Sequence, residues 1–166
     1  LLASESVKAN LIPEDRRLAW AIVLGVSRQW GYLSALIGER IRDPFDDLPQ
    51  EVQCALAMGA FQAIFLDRIP DHAIVFESVE LIKNKHHAHA GLVNRLIKIL
   101  VRESHQLTHT PPKRSIIELA KLKGMKKLCA ELSHPRWWVS LQLKQRKRDE
   151  VIELAEANNQ QAPLTI

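Results

Sequence analysis

From Ala55 to Leu66 the chain reads Ala-Leu-Ala-Met-Gly-Ala-Phe-Gln-Ala-Ile-Phe-Leu, apolar on almost every side. A helix with no wet face has to lie at the centre of a larger helical assembly. Leu48-Pro49-Gln50-Glu51 suits the start of such a helix, with proline and an acid in its first turn. Gly59 sits inside the run, at a cost of about 1 kcal/mol of helix propensity relative to alanine. Close approach of a neighbouring helix would account for it.

The rest of the chain supplies helices to surround this one. Pro13-Glu14-Asp15 opens a helix whose Leu18, Ile22, Val26, Trp30 and Leu33 recur at helical spacing. Gly31 either breaks that run or marks a close crossing. Leu36, Ile37 and Ile41 extend the apolar face towards Asp43-Pro44, where a stop is expected. After Asp67-Arg68-Ile69-Pro70 a helix carries Ile74, Val75, Val79 and Ile82 and ends in Lys83-Asn84-Lys85. Gly91 leads into another with Leu92, Val93, Leu96, Ile97 and Leu100. Thr110-Pro111-Pro112 punctuates the chain. A helix is expected from Ile116 to Leu132, weakened by Gly124 and broken by His134-Pro135. Short helices follow at Trp137-Trp138-Val139 and from Val151 to Ala157, and Pro163-Leu164-Thr165-Ile166 reads as the start of a strand. The fold class is all-α, a helix bundle with short connections.

Apolar residues make up 46% and charged residues 25%, a balance that excludes a disordered chain. No apolar run approaches the roughly 18 residues of a membrane span, and nothing resembles a signal peptide, so no membrane partner is expected and the cytoplasm is the expected compartment. The chain does not open with Met, which suggests a trimmed or truncated product. Cys54 and Cys129 both fall in helical apolar patterns and read as buried, reduced thiols.

The net charge of +4 is unevenly placed. Between Lys113 and Arg148 stand eleven basic and only two acidic residues, whereas the remainder is acidic on balance. That asymmetry points to a polyanion as partner of the back half. Arg95, Lys98 and Arg102 add a stripe of cations on one helix face, able to follow a phosphate backbone or simply to form the helix's wet side. Trp137 and Trp138 beside Arg136 read as a base-stacking platform or as core anchors. The candidate polyanion-contacting residues are Arg95, Lys98, Arg102, Lys113, Arg114, Arg136, Trp137, Lys144, Arg146 and Lys147.

Several other polar residues have structural readings. His105 and His109 have the spacing of two zinc ligands on a helix, but no third ligand lies nearby in sequence and Thr110-Pro111 ends the helix, so no metal site is assigned. His72 is expected to cap or pack, Asn94 to hydrogen-bond between helices, and Glu77 and Glu80 to lie on the surface or pair helices. No Gly-rich phosphate loop, Ser/His/Asp arrangement or Cys-x-x-Cys is present, so no catalytic or cofactor-binding residue is assigned.

One stretch is more specific than any of these patterns. Phe61-Gln62, then Leu66-Asp67-Arg68-Ile69-Pro70-Asp71-His72-Ala73, then Glu77, Val79, Glu80 and Gly91-Leu92-Val93-Asn94 together resemble the NusB-like family. Leu24-Gly25-Val26-Ser27-Arg28 resembles that family's earlier helix, and the resemblance runs from about residue 12 to 103. Ser133-His134-Pro135-Arg136-Trp137 and the final Glu156-Ala157-Asn158-Asn159 to Pro163-Leu164-Thr165 resemble the junction of the RsmB/Sun 16S ribosomal RNA 5-methylcytosine methyltransferases. The resemblance implies a NusB-like RNA-binding bundle over residues 1–112, with the family's first helix expected before Leu1. It further implies a basic helical linker over 113–166 leading into a methyltransferase domain. S-adenosylmethionine would belong to that further domain, and none of its ligands is assigned to this chain, which would itself be non-catalytic. Ribosomal RNA, the chain's own methyltransferase domain and a ribosomal protein are the implied partners. The alternative is a protein-interaction module or transcription antitermination factor of NusB type.

Overall fold

A computed structural model describes residues 12–106, 117 and 119–160. The described residues form seven α-helices and two short 3₁₀ turns, with no strand among them. The expected strand at Pro163–Ile166 lies outside the described residues.

Helix α1, Pro13–Gly38, has proline in its first turn followed by Glu14 and Asp15. At a rise of 1.5 Å per residue its 26 residues span about 39 Å. It buries Ile22, Gly25, Tyr32, Leu33, Leu36 and Ile37 on one side. Gly31 does not break it. A side chain there would lie 3.2 Å from the Ser133 Cα, and the Gly31 N–H donates to Ser133 Oγ at 3.0 Å, so the glycine marks a close crossing. The helix stops well short of Asp43-Pro44, because Arg40 folds back to donate from Nη1 to the Leu36 carbonyl (2.8 Å) and satisfies its last turn.

After a 3₁₀ turn at Phe45–Asp47 comes α2, Gln50–Phe65, the central helix. It buries Val52, Ala55, Leu56, Ala57, Gly59, Ala60, Phe61 and Ile64. Gly59 is the close approach expected of it: a Cβ would fall 2.5 Å from Ser78 Oγ and 2.7 Å from Ile97 Cδ1. Helix α3, Asp71–Lys83, and, after a second 3₁₀ turn at His87–His89, helix α4, Ala90–Ser104, pack against α2 and each other. Arg40 also donates to Glu103 Oε2 at 2.7 Å and so ties the end of α1 to the last turn of α4.

The helix expected from Ile116 is corrected by the structure: α5 spans Gly124–Leu132 only. Ile117 and Leu119 are buried in the main core, at 8% and 0% exposure. The Tyr32 hydroxyl donates to the Ile117 carbonyl at 2.9 Å. The Glu39 carboxylate accepts the backbone N–H groups of Ala120 (2.9 Å), Lys121 (2.7 Å) and Leu122 (3.0 Å). Those donors are drawn to a side chain of another segment, which holds the backbone out of a helical turn.

Helix α5 ends at Ser133, whose φ of 54° is left-handed, and the His134 N–H closes the turn on the Cys129 carbonyl at 3.0 Å. Helices α6, Arg136–Gln145, and α7, Arg148–Asn159, then pack with α5 around a smaller core of Leu128, Leu132, Val139, Val151 and Ala155. The Ser133-His134-Pro135 motif is therefore a corner: Ser133 meets α1 and the His134 ring lies 4.2 Å from that of Trp138.

The cysteines depart from expectation. Cys54 is exposed and Cys129 half-buried, since Glu51, Cys54 and Met58 make up the outer stripe of α2. Burial pushes the Cys129 thiol above its usual pKa, so less of it is thiolate at neutral pH. Iodoacetamide should alkylate Cys54 several-fold faster than Cys129, as read by peptide mass mapping over time. Equal rates would contradict these exposures.

Candidate nucleic-acid interface

Helix α4 is strongly two-sided. Val93, Leu96, Ile97, Leu100 and Val101 are buried, while Arg95, Lys98 and Arg102 are exposed. The spacing that puts cations together also puts them opposite the buried stripe. Lys98 and Arg102 stand on the wall of a groove of about 810 Å³ between α3 and α4. Val75, Phe76, Val79 and Val101 give it an apolar lining, and Arg95 lies outside it. At one end His105 Nε2 meets Asp71 Oδ2 at 2.8 Å. Neither Lys98 nor Arg102 forms an ion pair with a described residue, so both charges are available to a ligand.

Two expectations change at this groove. His72 caps nothing and is exposed on the groove wall, because the Pro70 carbonyl already accepts the first N–H groups of α3. Asn94 is half-buried, lines the groove, and makes no hydrogen bond to another helix, since the contact between α2 and α4 is made by apolar residues such as Ile97. Glu77 and Glu80 are surface acids as expected, Glu80 accepting from Lys83 Nζ at 2.8 Å. His109 lies outside the described residues, and no group of metal-ligating side chains occurs among those described.

The remaining candidates gather elsewhere. Arg136 and Trp137 open α6, Lys144 lies in its last turn, and Arg146 and Lys147 form the link to α7, all of them exposed. Arg146 donates to Gln142. The tryptophan pair divides its work: Trp138 packs on the smaller core, while Trp137 is 69% exposed. Helix α4 packs mainly on α2 and α3, and α6 mainly on α5 and α7, so the two cationic sets belong to different helix groups. Lys113 and Arg114 lie outside the described residues. Lys121 donates its ammonium to the Glu39 carbonyl, which makes one cation of the basic segment a structural tie.

The NusB family matches residues 1–102, from the first residue through most of α4. The chain belongs to the NusB family. Among its relatives, the probable ribosomal RNA small subunit methyltransferase B of Bacillus subtilis is 29% identical over 84% of this chain and 29% of its own length. Ribosomal RNA small subunit methyltransferase B of Pseudomonas syringae is 28% identical over 84% of the chain and 34% of its own. The Thermus thermophilus protein of that name is 35% identical over 60% of the chain and 25% of its own. This NusB-family chain thus spans about a third or less of the length of these relatives. No solved structure gives a significant match.

Sequence reasoning missed two features of this NusB-family fold. Glu39 was not singled out by any motif or spacing, and only its 9% exposure and the three backbone N–H groups it accepts reveal its task. Phe76 lies one residue beyond Val75 on α3 and breaks the apolar periodicity; an aromatic on the polar side of an amphipathic helix was the available signal.

Proposed function

We propose that this chain is the RNA-binding module of a small-subunit ribosomal RNA methyltransferase, holding RNA while another part of the parent protein transfers the methyl group. The observation that carries the reading is the pair of cations Lys98 and Arg102, in no ion pair with a described residue, on the groove wall of a NusB-family chain whose relatives bear methyltransferase names. Arg95 beside them, and Arg136, Trp137, Lys144, Arg146 and Lys147 on the second helix group, extend the surface. Phosphate neutralisation is the main source of affinity in this reading, and binding therefore falls with salt.

In the parent protein the methyl acceptor is carbon 5 of a cytosine in 16S RNA and the donor is S-adenosylmethionine, both handled outside this chain. The division of labour is a NusB-like domain over residues 1–112 and a basic stretch over 113–166, whose Ile117 and Leu119 are nonetheless built into the first core. The exposed Leu141 on α6 suits contact with the parent's methyltransferase domain or a ribosomal protein. The cytoplasm is the compartment of that work; no described helix is long and apolar enough to cross a membrane. The relatives' names do not favour an antitermination factor.

Fluorescence anisotropy with small-subunit ribosomal RNA fragments across a salt series tests the reading. Lys98→Glu with Arg102→Glu should weaken binding at least tenfold and flatten the salt dependence by roughly 0.7 per lost phosphate contact. Unchanged affinity and slope would remove these residues from the interface.

A further inference from the structure

We propose that the α3–α4 groove is a pocket for one unstacked nucleobase of single-stranded RNA, with Phe76 as the stacking surface. Lys98 and Arg102 hold the phosphates that flank this base. The proposal rests on the RNA-binding reading above and adds what that surface distinguishes: an unpaired strand from a duplex.

Phe76 is 60% exposed although its neighbours on the groove, Val75 and Val79, are half-buried. An aromatic ring left in water beside apolar walls gains contact when a flat, weakly polar partner covers it. A base is such a partner, and base–aromatic stacking accepts any of the four bases. The charges decide against an apolar protein segment as occupant. Lys98 and Arg102 lie four residues apart on α4, about 6 Å along its axis, and face the same groove as the ring. A base that stacks on Phe76 brings its own phosphates with it, whereas an apolar peptide would leave both cations unmatched.

The groups of opposite sign do not outweigh this field. Asp71, which His105 meets at 2.8 Å, is the one carboxylate among the groove's described lining residues, against the two cations. Glu77 and Glu80 of α3 are not among the groove residues, and Glu80 is engaged by Lys83. Asn94, half-buried in the groove and without a hydrogen bond to a described residue, presents an amide that both donates and accepts. That is the chemistry which pairs with the edge of an adenine. In a duplex the base faces are stacked on each other and unavailable, so the pocket selects single strands.

The test uses the full chain and a short oligoadenylate carrying one 2-aminopurine, alone or annealed to its complement. Phe76→Leu keeps an apolar side chain and removes the π face. It should weaken single-strand binding about tenfold, leave the salt slope unchanged, and abolish the fluorescence change of the stacked 2-aminopurine. Phe76→Trp should restore both signals. Lys98→Gln with Arg102→Gln should instead flatten the salt slope, and the duplex should bind more weakly and ignore Phe76→Leu. Phe76 is mostly exposed, so its variants should melt with the wild type. If Phe76→Leu binds the single strand as the wild type does while the cation variants weaken it, the base pocket is wrong and the RNA reading stands. If Phe76→Leu weakens duplex and single strand alike, selection of unpaired RNA is overturned. If the wild type binds neither RNA, both readings fall together.

Discussion

Glu39→Ala should lower the stability of this protein by about 3 kcal/mol, read as a fall of roughly 6–12 °C in Tm. The carboxylate is 9% exposed and accepts three consecutive backbone N–H groups, at 2.7, 2.9 and 3.0 Å. Hydrogen bonds to a charged acceptor are the stronger kind, and removing it leaves three donors of a part-buried segment without it. The damage should spread beyond those bonds, since the same segment carries Leu119, which is fully buried, and Ile117 at 8% exposure. Glu39→Gln should cost less, about 1–2 kcal/mol, because one oxygen remains while the new amide turns a donor towards a donor. Hydrogen exchange at Ala120, Lys121 and Leu122 should accelerate in both variants. A Glu39→Ala protein melting within about 2 °C of the wild type would show that the apolar contacts of Ile117 and Leu119 hold the segment by themselves.

Gly25→Ala should destabilise by about 2 kcal/mol even though alanine is the better helix former. A Cβ at Gly25 would lie 2.0 Å from Phe61 Cζ and 2.5 and 2.7 Å from the two neighbouring ring carbons. The ring has little room to withdraw, because Phe61 is 7% exposed and stacks on Phe65 with centroids 5.2 Å apart. The overlap forces α1 and α2 apart, at a cost of about 3 kcal/mol against a propensity gain of about 1. Gly91→Ala is the matched control: nothing lies within 4 Å of its Cβ position at the start of α4. It should stabilise by about 0.5 kcal/mol. Denaturant unfolding of the two variants checks both signs. If Phe61→Leu relieves the penalty of Gly25→Ala, so that the double variant is more stable than the two single costs predict, the overlap is its cause.

The local half of this fold was legible because helical periodicity reports which side of a segment is dry. The apolar run from Ala55 to Leu66 placed a central helix, and α2 occupies that place. Asp71–Lys83 and Ala90–Ser104 follow the spacing of Ile74 to Ile82 and of Val93 to Leu100. The cation stripe of α4 was visible for the same reason, as the complement of its buried face. Periodicity failed at Ile117 and Leu119, where an apolar stretch followed by a basic one suggested helix. Both residues are buried, but they lie outside the helix, which begins only at Gly124.

The sequence by itself thus determined the class of the fold, the central helix, the two-sided character of α4 and, through the Ile69-Pro70 and Ser133-His134-Pro135 motifs, the family. Each of these rests on residues within a turn or two of one another, where the chain's own geometry sets the neighbours. Only the tertiary structure decided that Glu39 binds a segment 81 to 83 residues further along, that Cys54 faces outwards, and that Phe76, Lys98 and Arg102 share one groove. A side-chain pattern states that a surface is to be covered or left wet. Which distant segment covers it, and what remains open between two packed helices, depends on how close the backbones can come, and that is set jointly by glycines and ring volumes on separate helices.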